Sequence, residues 1–204
     1  MSREYYNTYW QHEAPPENDP LSPIRLSLFL NHIQQSRPQS ILDIGCGDGA
    51  LTDRIGKLGF NISGVDLSET AIRKAQTSFP HISFDLIRSN GTLPYAPGQF
   101  DAIFCAEVIE HVYDTEQFVT EIARVLAPGG FFFITTPFHG YVKNFILALI
   151  GFDKHFDVTG PHIRFFSDRA LHNLLRKRGL APAFRHIGRF APLWMDTIAF
   201  GVKL

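Results

Sequence analysis

Residues 41–49, Ile41-Leu42-Asp43-Ile44-Gly45-Cys46-Gly47-Asp48-Gly49, join a short apolar run to three glycines at alternate positions. The run predicts a buried strand. The glycines predict a tight turn, because glycine enters left-handed backbone without steric penalty and puts no Cβ in the way of a ligand. A helix over Leu51–Leu58 follows, and its first turn would aim free N–H groups and partial positive charge at whatever the turn holds. Dinucleotide sites carry G-x-G-x-x-G, whereas the spacing here is G-x-G-x-G. Asp43, two residues before the first glycine, would repel a pyrophosphate and favour an ammonium. A ligand with an ammonium and a carboxylate on one carbon is an amino acid. Asp66, which ends the next apolar run, Ile62–Val65, can accept hydrogen bonds from both hydroxyls of a ribose. An amino acid joined to a ribose describes S-adenosylmethionine.

Outward from this loop, apolar runs alternate with helical stretches. Ile41–Ile44, Ile62–Val65, Ile82–Ile87, Phe100–Ala106 and Phe131–Thr135 read as strands, and Leu51–Leu58, Ala71–Phe79 and Glu116–Leu126 as helices. This rhythm predicts an α/β fold, a doubly wound parallel sheet covered on both faces. Ala127-Pro128-Gly129-Gly130 is expected to turn the chain between the last helix and its strand. Upstream, Ile24, Leu26, Leu28, Leu30 and Ile33 predict a helix ending near Arg37-Pro38, where the proline favours an extended residue before it. Residues 11–23, with four prolines, read as a linker behind an N-terminal arm. Downstream, residues 137–166 break the rhythm. A helix resumes at Ser167 and closes at Gly179, before strand candidates Ala183–Ile187 and Leu193–Val202. One domain over 1–204 is expected: arm and helix over 1–38, a cofactor-binding core over 39–136, a lid-like substrate-side insertion over 137–166, and a helix with a strand pair over 167–204.

Composition excludes several classes. Hydrophobic residues make up 45% of the 204 and charged residues 19%, the balance of a folding chain. Formal net charge is −1, so no excess of positive charge draws in nucleic acid. Cys46 and Cys105 lie in apolar segments, where packing or site lining explains them better than a disulfide. The N-terminus lacks an apolar h-region, and no run approaches the ~18 apolar residues of a spanning helix. A cytoplasmic protein is the expectation. Phe145–Ile150, six apolar residues between Lys143 and Lys154, suits a core or lid helix, with a substrate wall or a peripheral membrane contact as the less favoured readings. Nothing in the sequence sets an oligomeric state.

DIGCGDG, GVDLS, LPYAPGQFDAIFCAEVIEHV and LAPGGFFFITTP resemble successive motifs of the class I methyltransferases, from about Ser40 to Pro137, with a looser echo in HIRFFSDRALHNLLRKRGL. Within that superfamily the phrasing is most similar to the ubiquinone-biosynthesis O-methyltransferase group and its small-molecule relatives. The resemblance implies a Rossmann-like seven-stranded sheet, mostly parallel with the last strand antiparallel, and S-adenosylmethionine as cofactor. It places the methionine moiety against Asp43, Gly45, Cys46 and Gly47, the ribose on Asp66 and the adenine beside Leu67. Asn90 stands in for the family's adenine-contacting Asp, since an amide oxygen accepts the same hydrogen bond. Glu107 resembles the family's residue beside the cofactor after the fourth strand.

Methyl transfer from a sulfonium is an in-line displacement with a neutral leaving group, so alignment is the main task and no metal is required. A hydroxyl nucleophile must also lose a proton, which suits a histidine. Of nine histidines, His111 is best placed, on the same face as Glu107 if the turn between them is helical. Among His139, His155 and His162 in the insertion, His162, in HIRFF, is the one expected to face substrate. Asp101, at a strand start, is expected to be structural. A small-molecule acceptor methylated on a hydroxyl is the leading reading. N- or C-methylation, and a cofactor-binding subunit without catalysis, are the alternatives.

Overall fold

The computed structural model describes residues 3–12, 19–88, 90–151, 160–191 and 193–204. In chain order the elements are α1 (Arg3–His12), α2 (Ser22–Ser36), β1 (Ile41–Ile44), α3 (Ala50–Gly56), β2 (Ile62–Asp66), α4 (Glu69–Ser78) and β3 (Ser83–Leu86). They continue with β4 (Phe100–Ala106), a single 3-10 turn (Ile109–His111), α5 (Thr115–Val125), β5 (Leu126–Pro137), α6 (Tyr141–Ile150), α7 (Asp168–Arg176), β6 (Leu180–Ile187) and β7 (Asp196–Lys203). The seven strands form one sheet in the order β3-β2-β1-β4-β5-β7-β6. β1 to β5 pair in parallel, and β7 runs antiparallel between β5 and β6.

Alternating side chains of the central strands feed two cores. Leu42, Ile44, Ile103, Cys105, Phe132 and Ile134 pack on α5 and α7 through Val119, Ile122, Leu171 and Leu175. Ile41, Ala102, Phe104 and Phe133 pack on the opposite layer, where α2 and α3 supply Phe29, Ile33 and Ile55. β1 carries apolar side chains on both faces, Ile41 on one and Leu42 and Ile44 on the other, so it must be covered on both sides and is buried throughout. Asp101 caps the opposite end of the sheet, its carboxylate accepting from the Gln39 and Ser40 backbone N–H groups at 2.9 and 3.1 Å. Its structural role is as expected.

Several boundaries differ from the sequence reading. Ala127-Pro128-Gly129-Gly130 lies inside β5, which follows α5 directly; Phe100 pairs with Leu126 but Ala102 with Phe131, so the extra residues bulge out of register. Gly129 takes a left-handed φ of 75° there. The 11–23 linker is shorter than expected, since α1 runs through His12 and α2 begins at Ser22. Arg37 before Pro38 is left-handed, not extended, at φ 45° and ψ 61°, and its N–H closes α2 on the Ile33 carbonyl. The Phe145–Ile150 run falls in α6, which buries no residue, so it is not a core helix. Tyr141, Phe145, Leu149 and Ile150 are all exposed on it. No described helix is long and apolar enough to cross a membrane. Phe29, 0% exposed against the rings of Phe104 and Phe133, should lose about 3–5 kcal/mol of stability on Phe29→Ala, whereas Leu149→Glu should stay within about 0.5 kcal/mol in denaturant titrations.

Candidate active site at the carboxyl edge of the sheet

The parallel strands deliver Gly45, Asp66, Glu107 and Pro137 to one edge. Gly45 and Gly47 sit at φ 78° and 56°. A Cβ on Gly45 would collide with Val108, and one on Gly47 would lie 2.5 Å from the Trp10 ring, so the loop is closely covered from two sides. The Gly45 and Cys46 N–H groups donate to the Val65 carbonyl at 2.8 and 3.2 Å, tying the loop to β2. Asp66 completes the tie, accepting from Gly47 N at 3.0 Å and Ser68 N at 2.8 Å. A carboxylate has about four lone-pair sites, so these bonds leave acceptor capacity for a ribose. Burial raises the Asp66 pKa, and the backbone donors oppose the shift.

The other loop residues divide. Asp43 is 3% exposed and accepts from Thr52 Oγ1 at 2.6 Å. Burial pushes its pKa up to about 7 against that hydrogen bond. Cys46 turns its side chain into a small core with Ile72, Ala75 and Phe84, so it can meet a ligand only through its backbone. Leu67 is half-buried between Asp66 and α4. Asn90 is exposed, and its amide oxygen already accepts from Thr92 N at 3.1 Å and Thr92 Oγ1 at 2.7 Å, which occupies both lone pairs locally.

The turn after β4 departs from the expected helix. Glu107 is itself left-handed at φ 56°, and the turn that follows is only the 3-10 turn Ile109–His111, so Glu107 and His111 do not share a helical face. Glu107 instead accepts from Thr135 Oγ1 at 2.7 Å and lies 3.5 Å from the Arg25 guanidinium. Arg25, 5% exposed, also donates to Asp196 at 2.7 Å and pairs with Asp19. Burial carries the Glu107 pKa to about 7, with Arg25 opposing.

His111 meets a different set. Its Nδ1 lies 2.8 Å from the Pro161 carbonyl, so Nδ1 holds the proton and the basic lone pair is on Nε2. Nε2 lies 3.7 Å from Glu110 Oε1, and the His162 ring is 4.8 Å from the His111 ring. Burial lowers the His111 pKa from its ordinary 6.5, the Pro161 bond opposing. Glu110 is 0% exposed, and neither carboxyl oxygen has a hydrogen-bond partner of regular geometry among the described residues. Burial, then the nearby Glu107, pushes its pKa well up. Ligand atoms of Glu110, His111 and His162 all lie within 4.8 Å of one another, a donor set able to hold a first-row divalent cation. His139 is buried with Nδ1 3.2 Å from Asn144 Oδ1, and His155 lies outside the described residues.

Helix α1 closes the loop from above. Asn7 Oδ1 accepts from Ser68 Oγ at 2.9 Å and Thr70 N at 3.3 Å, and Arg3 donates to the Ile87 carbonyl at 2.6 Å. These bonds set Trp10 on Gly47 and Tyr6 edge-on to His111 at 6.1 Å. Arg25 and Glu110 are site residues the sequence reading missed. Arg25 had a signal, standing at the buried i, i+4 spacing of Leu21, Phe29 and Ile33. So did Glu110, an acid inside the apolar phrase Val108 to Val112.

A family model described as "Methyltransferase domain" matches residues 42–134, which include both cofactor-loop carboxylates and the His111 turn. The ubiquinone biosynthesis O-methyltransferase of Albidiferax ferrireducens is 35% identical over 136 residues, 64% of this chain and 53% of that protein. The enzyme of the same name from Ralstonia nicotianae is 31% identical over 167 residues, 76% of this chain and 70% of that one. The chain thus spans about half the length of the first of these relatives and about two-thirds of the second. Burkholderia thailandensis 1,6-didemethyltoxoflavin-N1-methyltransferase, solved with S-adenosylhomocysteine, shares the fold at a TM-score of 0.72 and 18% identity, over 98% of this chain and 86% of that one. Loop, sheet order and relatives agree that the chain belongs to the S-adenosylmethionine-dependent methyltransferases.

Proposed function

We propose that the protein transfers the methyl group of S-adenosylmethionine to a hydroxyl of a small molecule. The observation that carries this reading is the His111–Pro161 bond, which leaves a neutral imidazole lone pair at the edge where the methyl group would arrive. The relatives' name, ubiquinone biosynthesis O-methyltransferase, supports oxygen as the acceptor atom. The fold alone does not, since an N-methyltransferase shares it. In this reading Asp43 meets the cofactor's ammonium, the backbone of Gly45, Cys46 and Gly47 lies along its methionine moiety, and Asp66 accepts from its ribose. Leu67 lies beside the adenine. Asn90 is the weakest member of the set, because Thr92 engages its oxygen. Glu107, held by Arg25 and Thr135, shapes the wall of the site and does not reach the acceptor.

The displacement then needs little from the protein. The acceptor oxygen forms its bond to the methyl carbon, the carbon–sulfur bond breaks with its electron pair going to sulfur, and the acceptor proton passes to His111 Nε2. His162, edge-on to His111 at 4.8 Å, would contact the acceptor.

One observation favours a second reading of the proton step. The buried Glu110 carboxyl has no hydrogen-bond partner of regular geometry among the described residues, although its own backbone and the Thr136 hydroxyl oppose its raised pKa, so it has acceptor capacity that a cation could use. A divalent cation held by Glu110, His111 and His162 would polarise the acceptor hydroxyl and ease its deprotonation.

Two outcomes follow. Asp43 ionises near pH 7, so S-adenosylmethionine should bind more tightly as pH rises from 6 to 8, and Asp43→Asn should bind it more weakly with a flat pH dependence in calorimetry. At saturating cofactor, wild-type kcat should rise through a pKa below 6.5, and His111→Ala should lose that limb and roughly 100-fold or more of turnover. Dialysis against a chelator separates the readings: undiminished activity supports His111 as base, and activity lost and then restored by a divalent metal supports the cation.

A further inference from the structure

The mechanism above leaves one buried polar group unused. Tyr6 projects from α1 into the edge of the site, and its hydroxyl oxygen is shielded from solvent with no hydrogen-bond partner among the described residues. The hydroxyl lies within electrostatic range of both Asp66 and Glu110, and its ring stands edge-on to His111 at 6.1 Å. Asp66 marks the ribose end of the cofactor site and His111 the acceptor end, so Tyr6 stands over the interval in which the methyl group changes hands. Its position is not accidental to packing. Five hydrogen-bonding partners outside the arm (Ser68, Glu69, Thr70, Lys74 and Ile87) fix α1 against α4 and the end of β3.

We propose that Tyr6 is a catalytic residue, whose hydroxyl hydrogen-bonds the attacking atom of the acceptor and turns a lone pair toward the methyl carbon. The inference rests on the methyl-transfer reading. A buried hydroxyl without a partner has given up its bonds to water, and native proteins tolerate this where a ligand supplies the replacement. Burial, together with neighbouring Tyr5, Asp66 and Glu110, holds the phenol proton well above the ordinary range, so Tyr6 donates a hydrogen bond and does not compete with His111 for the proton. No atom of Tyr6 is exchanged in the step. The acceptor's proton still leaves to His111, and the carbon–sulfur electron pair still leaves with sulfur. In-line transfer depends steeply on the angle of attack, which is what one fixed donor on the nucleophile controls.

Tyr6→Phe tests this, because it keeps the ring that packs on Tyr5 and His111 and deletes only the hydroxyl. Full-length wild type and variant would be compared with the best acceptor from a panel of phenols, catechols and amines, alongside calorimetry of S-adenosylhomocysteine and of the acceptor titrated into the protein–S-adenosylhomocysteine complex. The expected result is a fall in kcat of about 10- to 100-fold, weaker acceptor binding, S-adenosylhomocysteine affinity within about twofold, and an undiminished melting temperature. Unchanged turnover and acceptor affinity would show that Tyr6 only packs. Unchanged turnover with lost S-adenosylhomocysteine affinity would make it a cofactor contact, which also overturns the inference while leaving methyl transfer standing. A wild-type protein that binds S-adenosylhomocysteine yet methylates nothing in the panel would instead overturn the methyl-transfer reading, and the role of Tyr6 with it.

Discussion

The left-handed backbone at Gly45 and Gly47 lets β1 stop abruptly at the sheet edge and lay two consecutive N–H groups on the Val65 carbonyl of β2. Everything at the site is hung from that junction. The same turn brings Gly47 N to Asp66, so the residue that offers acceptor sites to a ribose also clamps the two strand ends together. It leaves room for Val108 on one side and Trp10 on the other, the first carrying the turn after β4 and the second the N-terminal helix. A side chain at either glycine would displace one of those covers, which ties the local conformation of two residues to the enclosure of the whole cleft.

A second constraint is electrostatic. Arg25 faces Asp19, Glu107 and Asp196, and Glu110 is buried close by, so acids outnumber cations at this edge. Burial raises the pKa of Glu107, Glu110 and Asp196, and Arg25 opposes all three. The left-handed φ of Glu107, which a non-glycine residue adopts at some strain, is sustained by Thr135, whose hydroxyl both accepts from the Glu107 N–H and donates to its carboxylate. Glu107 is thereby fixed in place, and burial lowers the pKa of His111 in the turn that follows.

The sheet was legible in the sequence because its central strands carry apolar residues on both alternating faces and its loop glycines alternate; a doubly wound fold accommodates both patterns. Asp43 and Asp66 were legible because each ends or nearly ends an apolar run, where a carboxylate is conspicuous. Other features depend on tertiary contacts. Ala127-Pro128-Gly129-Gly130 has the composition of a turn, yet register with β4 draws it into β5 as a bulge. Pairing His111 with Glu107 assumed helical backbone, and the left-handed Glu107 breaks that geometry. Arg25 was hidden in an otherwise apolar stripe. The orientation of Tyr6 within a cluster of aromatic residues depends on how Asn7 and Arg3 dock α1 on residues more than sixty positions away, which no local pattern encodes.

The chemistry of this edge of the sheet suits an amino acid joined to a ribose and not a dinucleotide. Calorimetric titration of the purified protein with S-adenosylhomocysteine and, separately, with NAD measures it directly. One-to-one binding of S-adenosylhomocysteine in the micromolar range and no heat with NAD are the expected results. Saturable NAD binding with no response to S-adenosylhomocysteine would contradict it.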